Sequence, residues 1–259
     1  LLKAVPPLEV VAHRIVWSVL LLLAMLYFRK RLAALWEALT TRAMLVPMVA
    51  TALLIGGNWL IYIWAVTNGH VAAASLGYFL NPLLNVLLGY LFLKERLTRW
   101  QWVAVALAGL GVAILATGAL DALWISLSLA LSFGLYGLIR KVAPVGPMVG
   151  LASETIILLP LALAALAVWT VEGTGHFGTL GTQTDVLLLA AGVVTAVPLL
   201  LFASAARQMP YATIGLIQYI GPTIQFLLAI FLYREPLTTT HLITFPLIWA
   251  GLMLYSWDM

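Results

Sequence analysis

Residues 77–85 read GYFLNPLLN, and the stretches on either side, AAASL before and VLLGYLFL after, are almost wholly apolar. Two asparagines and a proline therefore fall at the centre of a run long enough to span a membrane, since ~20 apolar residues of helix cross a ~30 Å hydrocarbon core. Proline lacks the backbone N–H and clashes with the carbonyl four residues earlier, here that of Tyr78. In hydrocarbon a free carbonyl costs several kcal/mol unless it is buried in protein or faces a water-filled cavity. Such a stretch is expected where a membrane helix lines an interior space.

The composition supports the membrane assignment. Of 259 residues, 64% are hydrophobic and 8% charged, whereas soluble domains carry about 25% charged residues. No water-soluble surface can be built from this. The apolar blocks are too long for the short alternating segments of a transmembrane barrel, so the predicted class is an all-α polytopic membrane protein. Cysteine is absent, which excludes disulfides and thiolate chemistry. Nine spans are predicted, at about 8–28, 43–66, 71–93, 99–118, 121–140, 147–169, 185–207, 211–233 and 239–258, with ends uncertain by ~2–4 residues. The connections are short except at 29–42 and in the Gly/Thr-rich 172–185. The opening LLKAVPP looks like neither a signal peptide nor a chain start, so the true N-terminus is expected upstream.

An internal repeat sets the architecture. At an offset of 140 residues, 72–98 superposes without gaps on 212–238. Identities occur at Ala72/Ala212, Leu76/Leu216, Pro82/Pro222, Leu87/Leu227, Leu88/Leu228, Glu95/Glu235, Leu97/Leu237 and Thr98/Thr238, with Asn85/Gln225 and Lys94/Arg234 chemically close. Leucine matches are cheap in such a chain; the proline, the glutamate and the following Leu-Thr are not. The offset gives the span at 121–140 no partner within the sequence, which predicts five helices per copy and ten in the intact protein, nine present here. The copies are 1–118 and 119–259. An odd helix number inverts the second copy relative to the first. Alternating loops then collect Arg29, Lys30, Arg31, Arg42, Lys94, Arg96, Arg99, Arg140, Lys141 and Arg207 on one side, leaving Lys3, Arg14 and Arg234 on the other. Lys and Arg mark the cytoplasmic side, so both termini of the intact protein are expected there.

Tyr78, Asn81 and Asn85 share one helical face at i, i+3, i+7. Gln218 and Gln225 occupy the Tyr78 and Asn85 positions in the second copy, with Tyr219 beside them and Gly221 at the Asn81 position. The prolines 82 and 222 are the midpoints of their spans, and both helices are expected to break there. Asn58 and Tyr62 share a face in GGNWLIYIW (56–64), and Tyr136 lies in the second-copy partner of the absent first helix. These nine residues are the predicted substrate-binding cavity. The alternative is that the amides simply join helices, each contact contributing ~0.6 to 2 kcal/mol.

Charged residues inside spans cost at least ~2.5–3.5 kcal/mol at a helix centre, which singles out Arg14 and Glu154. They are equivalent under the repeat. Glu154 could carry a coupling proton, or its carboxylate could be held by a nearby cation such as Arg140 or Lys141; Arg14 could attract an anionic group or extend its head towards the interface. Glu9 and His13 form a local i, i+4 pair. His13, His70, His176 and His241 show no metal-ligand spacing, and no P-loop, nucleotide-binding or G-x-S-x-G signature occurs. No catalytic set, metal or cofactor is predicted, and the chain is not read as an enzyme.

HRIVWS, IGGNWLIYIWAVTNGH, ASLGYFLNPLLNVLLGYLFLKERL, FGLYGLIRK and YIGPTIQFLLAIFLYRE together resemble the RarD group of EamA-type transporters, in the drug/metabolite transporter (DMT) superfamily. The resemblance runs from about residue 8 to 257. It implies a bacterial inner-membrane permease of two inverted five-helix repeats, whose first helix, absent here, helps line a central cavity. It further implies export or exchange of small metabolites such as amino acids, aromatic compounds or drugs. The expected partners are a small-molecule substrate and the lipid bilayer, without nucleic acid; the sequence leaves a homodimer open. The other function weighed is a non-transporting membrane sensor or assembly subunit.

Overall fold

The computed structural model describes residues 2, 4–117, 120–232 and 239–258, apart from the side chains of Gln225 and Ala229. Lys3, Arg234 and the repeat matches Glu235, Leu237 and Thr238 lie outside the described residues. The described chain is helical without strands: α1 Pro7–Phe28, α2 Leu32–Thr40, α3 Arg42–Thr67, α4 Val71–Leu93, α5 Arg99–Ala116, α6 Leu123–Val142, α7 Pro147–Val171, α8 Thr182–Gln208, α9 Tyr211–Ile217, α10 Ile220–Phe231 and α11 Thr239–Trp257. Among the described residues, seven helices have the length and hydropathy to cross a bilayer. The protein is an all-α polytopic membrane protein.

Local signals explain the boundaries. Pro7 and Pro147 stand at the first position of α1 and α7, where the missing N–H is one of the orphan donors anyway. Thr98 opens α5 with a capping box completed by Gln101, satisfying two orphan donors reciprocally. The 29–42 connection, expected to be a loop, contains α2. Leu32, Leu35 and Leu39 recur at helical spacing there, and Leu35 packs beneath with Leu22, Leu26 and Leu151 while Trp36 stays exposed.

The midpoint prolines behave differently in the two copies. Pro82 sits inside an uninterrupted α4, contrary to the expected break, whereas the second copy parts between α9 and α10, just before Pro222. Gly221, where the first copy has Asn81, accounts for the difference, because glycine beside proline weakens the helix on both counts. The freed carbonyl of Gln218 is recovered by the Gly221 N–H at 3.1 Å.

The chain forms two contact units. One holds residues 1–63 and 139–208, chiefly α1, α2, α7 and α8 with most of α3. The other holds 64–138 and 209–259, chiefly α4, α5, α9, α10 and α11 with most of α6. Each unit draws helices from both sequence copies. Within the first, α1 packs on α7 and α8; a Cβ on Gly192 of α8 would sit 2.6 Å from the Trp17 carbonyl carbon. Within the second, α5 packs on α11 through Ala104, Ala108 and Gly111 against Thr244, Ile248 and Gly251. Small residues let membrane helices approach closely, where dispersion and hydrogen bonds replace the hydrophobic effect.

A Cβ on Gly251 would lie 2.7 Å from the Ala104 carbonyl oxygen. Gly251→Leu should therefore destabilise the protein by about 1–3 kcal/mol through overpacking, seen as a lowered melting temperature in detergent. Met253→Leu, at an exposed position on the same helix, should leave the melting temperature unchanged.

Candidate functional site

The second unit contains a pocket of about 290 Å³ lined by Tyr78, Asn81, Phe133, Gln218, Gly221 and Pro222. Its construction starts at Gly215. A Cβ there would lie 2.6 Å from the Pro82 carbonyl oxygen and 2.9 Å from the Asn85 Cβ, so only glycine lets α9 rest directly on the proline turn of α4. That approach brings Asn85 Nδ2 to Gln218 Oε1, a 2.9 Å hydrogen bond between helices of opposite copies. The start of α9 is fixed as well. Both oxygens of Glu95 accept from its first N–H groups, Tyr211 N at 2.6 Å and Ala212 N at 2.9 Å. Carboxylates stabilise helix N-termini through the orphan donors and the helix dipole. Tyr211 in turn donates its hydroxyl to the Gly134 carbonyl of α6 at 2.7 Å.

Asn81 is 7% exposed, and its Oδ1 has no hydrogen-bond partner among the described protein atoms. Such an atom costs roughly 1–3 kcal/mol when buried. Asn85 Oδ1 and the Tyr219 hydroxyl are also buried without one. Tyr78, by contrast, is 44% exposed and forms a wall.

The expected cavity residues divide. Tyr78, Asn81 and Gln218 line the pocket, and Asn85 braces it. Tyr219 is fully buried in the packed cluster with Leu76, Phe79, Val86 and Phe245, outside the lining. Tyr136 is fully buried 5.9 Å from Phe133, which does line it. Asn58 and Tyr62 belong to the other unit. The side chain of Gln225 lies outside the described residues. Sequence reading missed Phe133, three residues before Tyr136 on the same helical face, and the glycine that seats α9.

The first unit holds the in-span charges. Arg14 donates from Nε to Thr195 Oγ1 at 2.7 Å and stands 5.0 Å from the Trp59 ring centroid. Glu154 pairs with Arg140, Nε to Oε1 3.4 Å, both side chains essentially inaccessible. Arg140 had been assigned to a loop by charge alone; the structure buries it near the end of α6, where it also donates to the Pro147 carbonyl at 2.9 Å. Gly150, whose Cβ would collide with the guanidinium, leaves it room. Glu9 faces His13 at 3.9 Å but binds the α7–α8 loop more closely, accepting from His176 N and meeting His176 Nδ1, each at 2.7 Å. Phe177 packs on His13 and Trp17. This unit also has a groove of about 370 Å³ between α1, α3 and α7, lined mainly by aliphatic side chains such as Leu8, Leu53, Leu158 and Leu161, with Trp59 and Trp169 among its walls.

A model of the EamA-like transporter family matches residues 1–117. An uncharacterized transporter of Pseudomonas aeruginosa is 47% identical, the match covering all of this chain and 87% of that one. The chain belongs to the EamA-like transporter family. Protein RarD of Escherichia coli, 42% identical over 100% of this chain and 87% of its own, places it in the RarD group of that family. The chloramphenicol-sensitive protein RarD of Pseudomonas aeruginosa is 34% identical over the same shares. A crystal structure at 17% identity has the same fold, with a TM-score of 0.76 over 99% of this chain and 89% of that chain. This EamA-like chain is therefore a DMT-type transporter by family.

Two outcomes test the local geometry. In a double-mutant cycle on thermal stability, Asn85→Leu and Gln218→Leu should couple by about 0.6–1.7 kcal/mol; additive effects would show that the bond contributes nothing. Glu9→Gln should loosen the α7–α8 loop, giving faster proteinase K cleavage within 172–181, while unchanged cleavage would show that the carboxylate does not hold it.

Proposed function

We propose that this EamA-like protein is a secondary transporter that exports small metabolites, such as amino acids or aromatic and drug-like compounds, by alternating access across a bacterial inner membrane. The basic connections bearing Arg29, Lys30, Arg31, Lys94 and Arg96, and Arg207 in the last turn of α8, would face the cytoplasm, with the termini of the intact protein on that side. The observation that carries the reading is a pocket beside a broken helix, lined by the polar side chains of Tyr78, Asn81 and Gln218. Transporters of inverted-repeat design bind solutes at mid-membrane where discontinuous helices expose polar backbone. Tyr78, Asn81 and Gln218 would contact the solute, with Asn85 holding Gln218. The pairing of Glu154 with Arg140 favours a structural role for that carboxylate over a coupling one, since each charge stabilises the other.

In proteoliposomes the protein should move a labelled small metabolite. Asn81→Leu combined with Gln218→Leu should abolish that flux while the variant remains monodisperse and helical; undiminished flux would remove the pocket from the transport path. Flux that ignores an imposed pH gradient would argue against any role for Glu154 as a proton carrier.

A further inference from the structure

Two buried carboxylates stand in the first unit, and their partners differ in kind. Glu154 is met by the Arg140 guanidinium, a permanent cation. Glu9, 2% exposed, is met by imidazoles: His176 Nδ1 at 2.7 Å and, more distantly, His13 Nε2 at 3.9 Å, and among the described residues no lysine or arginine pairs with it. An imidazole carries charge only when protonated, and its ordinary titration falls between about pH 5 and pH 8. The counter-charge for Glu9 is therefore a proton that solvent supplies. We propose that Glu9 and His176 form a proton-operated clasp, which draws the α7–α8 loop, 172–181, onto the start of α1 as the pH on that side falls. On the topology proposed above, that side is the outside of the cell.

The geometry selects the imidazole that takes the proton. The indole Nε1–H of Trp17, which can only donate, faces His13 Nδ1 at 3.3 Å, so neutral His13 carries its own proton on Nε2, towards Glu9. A further proton on His13 would set one N–H against another at a ring that is buried. His176 has neither obstacle. Its side chain is 27% exposed, within reach of water, and its Nδ1 meets Glu9 Oε2 while its backbone N–H holds Oε1, each at 2.7 Å. Protonation keeps that arrangement and adds a full positive charge beside a carboxylate withdrawn from water, where charges interact most strongly. The other charged groups of this end are turned elsewhere. Asp185 of α8 accepts from Gly178 N at 2.7 Å, Arg14 of α1 points to Thr195 and Trp59, and Glu172 is exposed at the start of the loop. Phe177, packed on His13 and Trp17, supplies an apolar anchor that pH leaves alone.

Proteinase K cleavage within 172–181 reads the clasp on the protein in lipid nanodiscs, where both faces meet one buffer and the result does not depend on topology or on transport. Rates are taken relative to a free peptide of the same sequence, which removes the pH dependence of the protease. From about pH 8 to about pH 6, where imidazole titrates, cleavage of the wild-type loop should slow roughly fivefold, the equivalent of one strengthened hydrogen bond. His176→Asn keeps a donor near the Nδ1 position without titrating, so its loop should stay shielded with a flat profile. Glu9→Gln should be flat as well, but cleaved faster throughout. His13→Gln should keep the wild-type slope. A flat wild-type profile, or a slope that survives in His176→Asn, would overturn the proposal, and a slope lost in His13→Gln but kept in His176→Asn would assign the proton to the other ring.

Discussion

Hydrocarbon offers no hydrogen bonds, and every backbone group within the bilayer must find its partner in the protein. That constraint forces the chain into helices and makes each departure from a helix informative. Pro47, Pro82, Pro160, Pro198 and Pro246 all lie inside continuous helices. Among the described residues a span is interrupted just before Pro222, where glycine precedes the proline, and the Gln218 carbonyl is recovered there by a tighter turn. Proline alone does not open these helices. The combination of glycine and proline does, and the polar pocket of the second unit borders that opening.

Close packing of backbones follows from the same solvent. With no hydrophobic gain between helices in lipid, contact depends on approach distance, and glycine sets it. Gly215 seats α9 on the proline turn of α4, Gly192 seats α8 on α1, and Gly251 seats α11 on α5. The first of these has a functional consequence, because the distance it permits is what allows Asn85 and Gln218 to bond. Charges obey a parallel rule. Arg140 lies against Glu154 of the following helix, and Glu9 meets His176 from far along the chain, since a buried ion without a partner costs several kcal/mol.

Much of this was legible in advance. Seven of the nine expected spans are helices long and apolar enough to cross a bilayer, and the repeat singled out the Tyr78–Asn81–Asn85 face and its Gln218 counterpart from residue chemistry alone. Less legible were α2, whose helical spacing was hidden in a basic connection, and Arg140, which charge counting placed in a loop. Its pairing with Glu154 was one of the two readings the sequence offered for that carboxylate, but its complete burial depends on Gly150 of the next helix, which no local pattern announces. Tyr136 and Tyr219 share the composition of lining residues yet are fully enclosed, while Phe133, which looks like ordinary core, forms a wall. Helical facing gives a residue's direction around its own axis but not what stands opposite.

The sequence by itself determined the membrane class and the family, because hydropathy, punctuation and motif strings are properties of local segments. The tertiary structure decided which polar groups meet. The Asn85–Gln218 bond, the cap that Glu95 places on α9 and the unpartnered oxygen of Asn81 all arise between residues distant in sequence. Their geometry is fixed by how closely two backbones can approach, and that distance is written in packing rather than in any single stretch of chain.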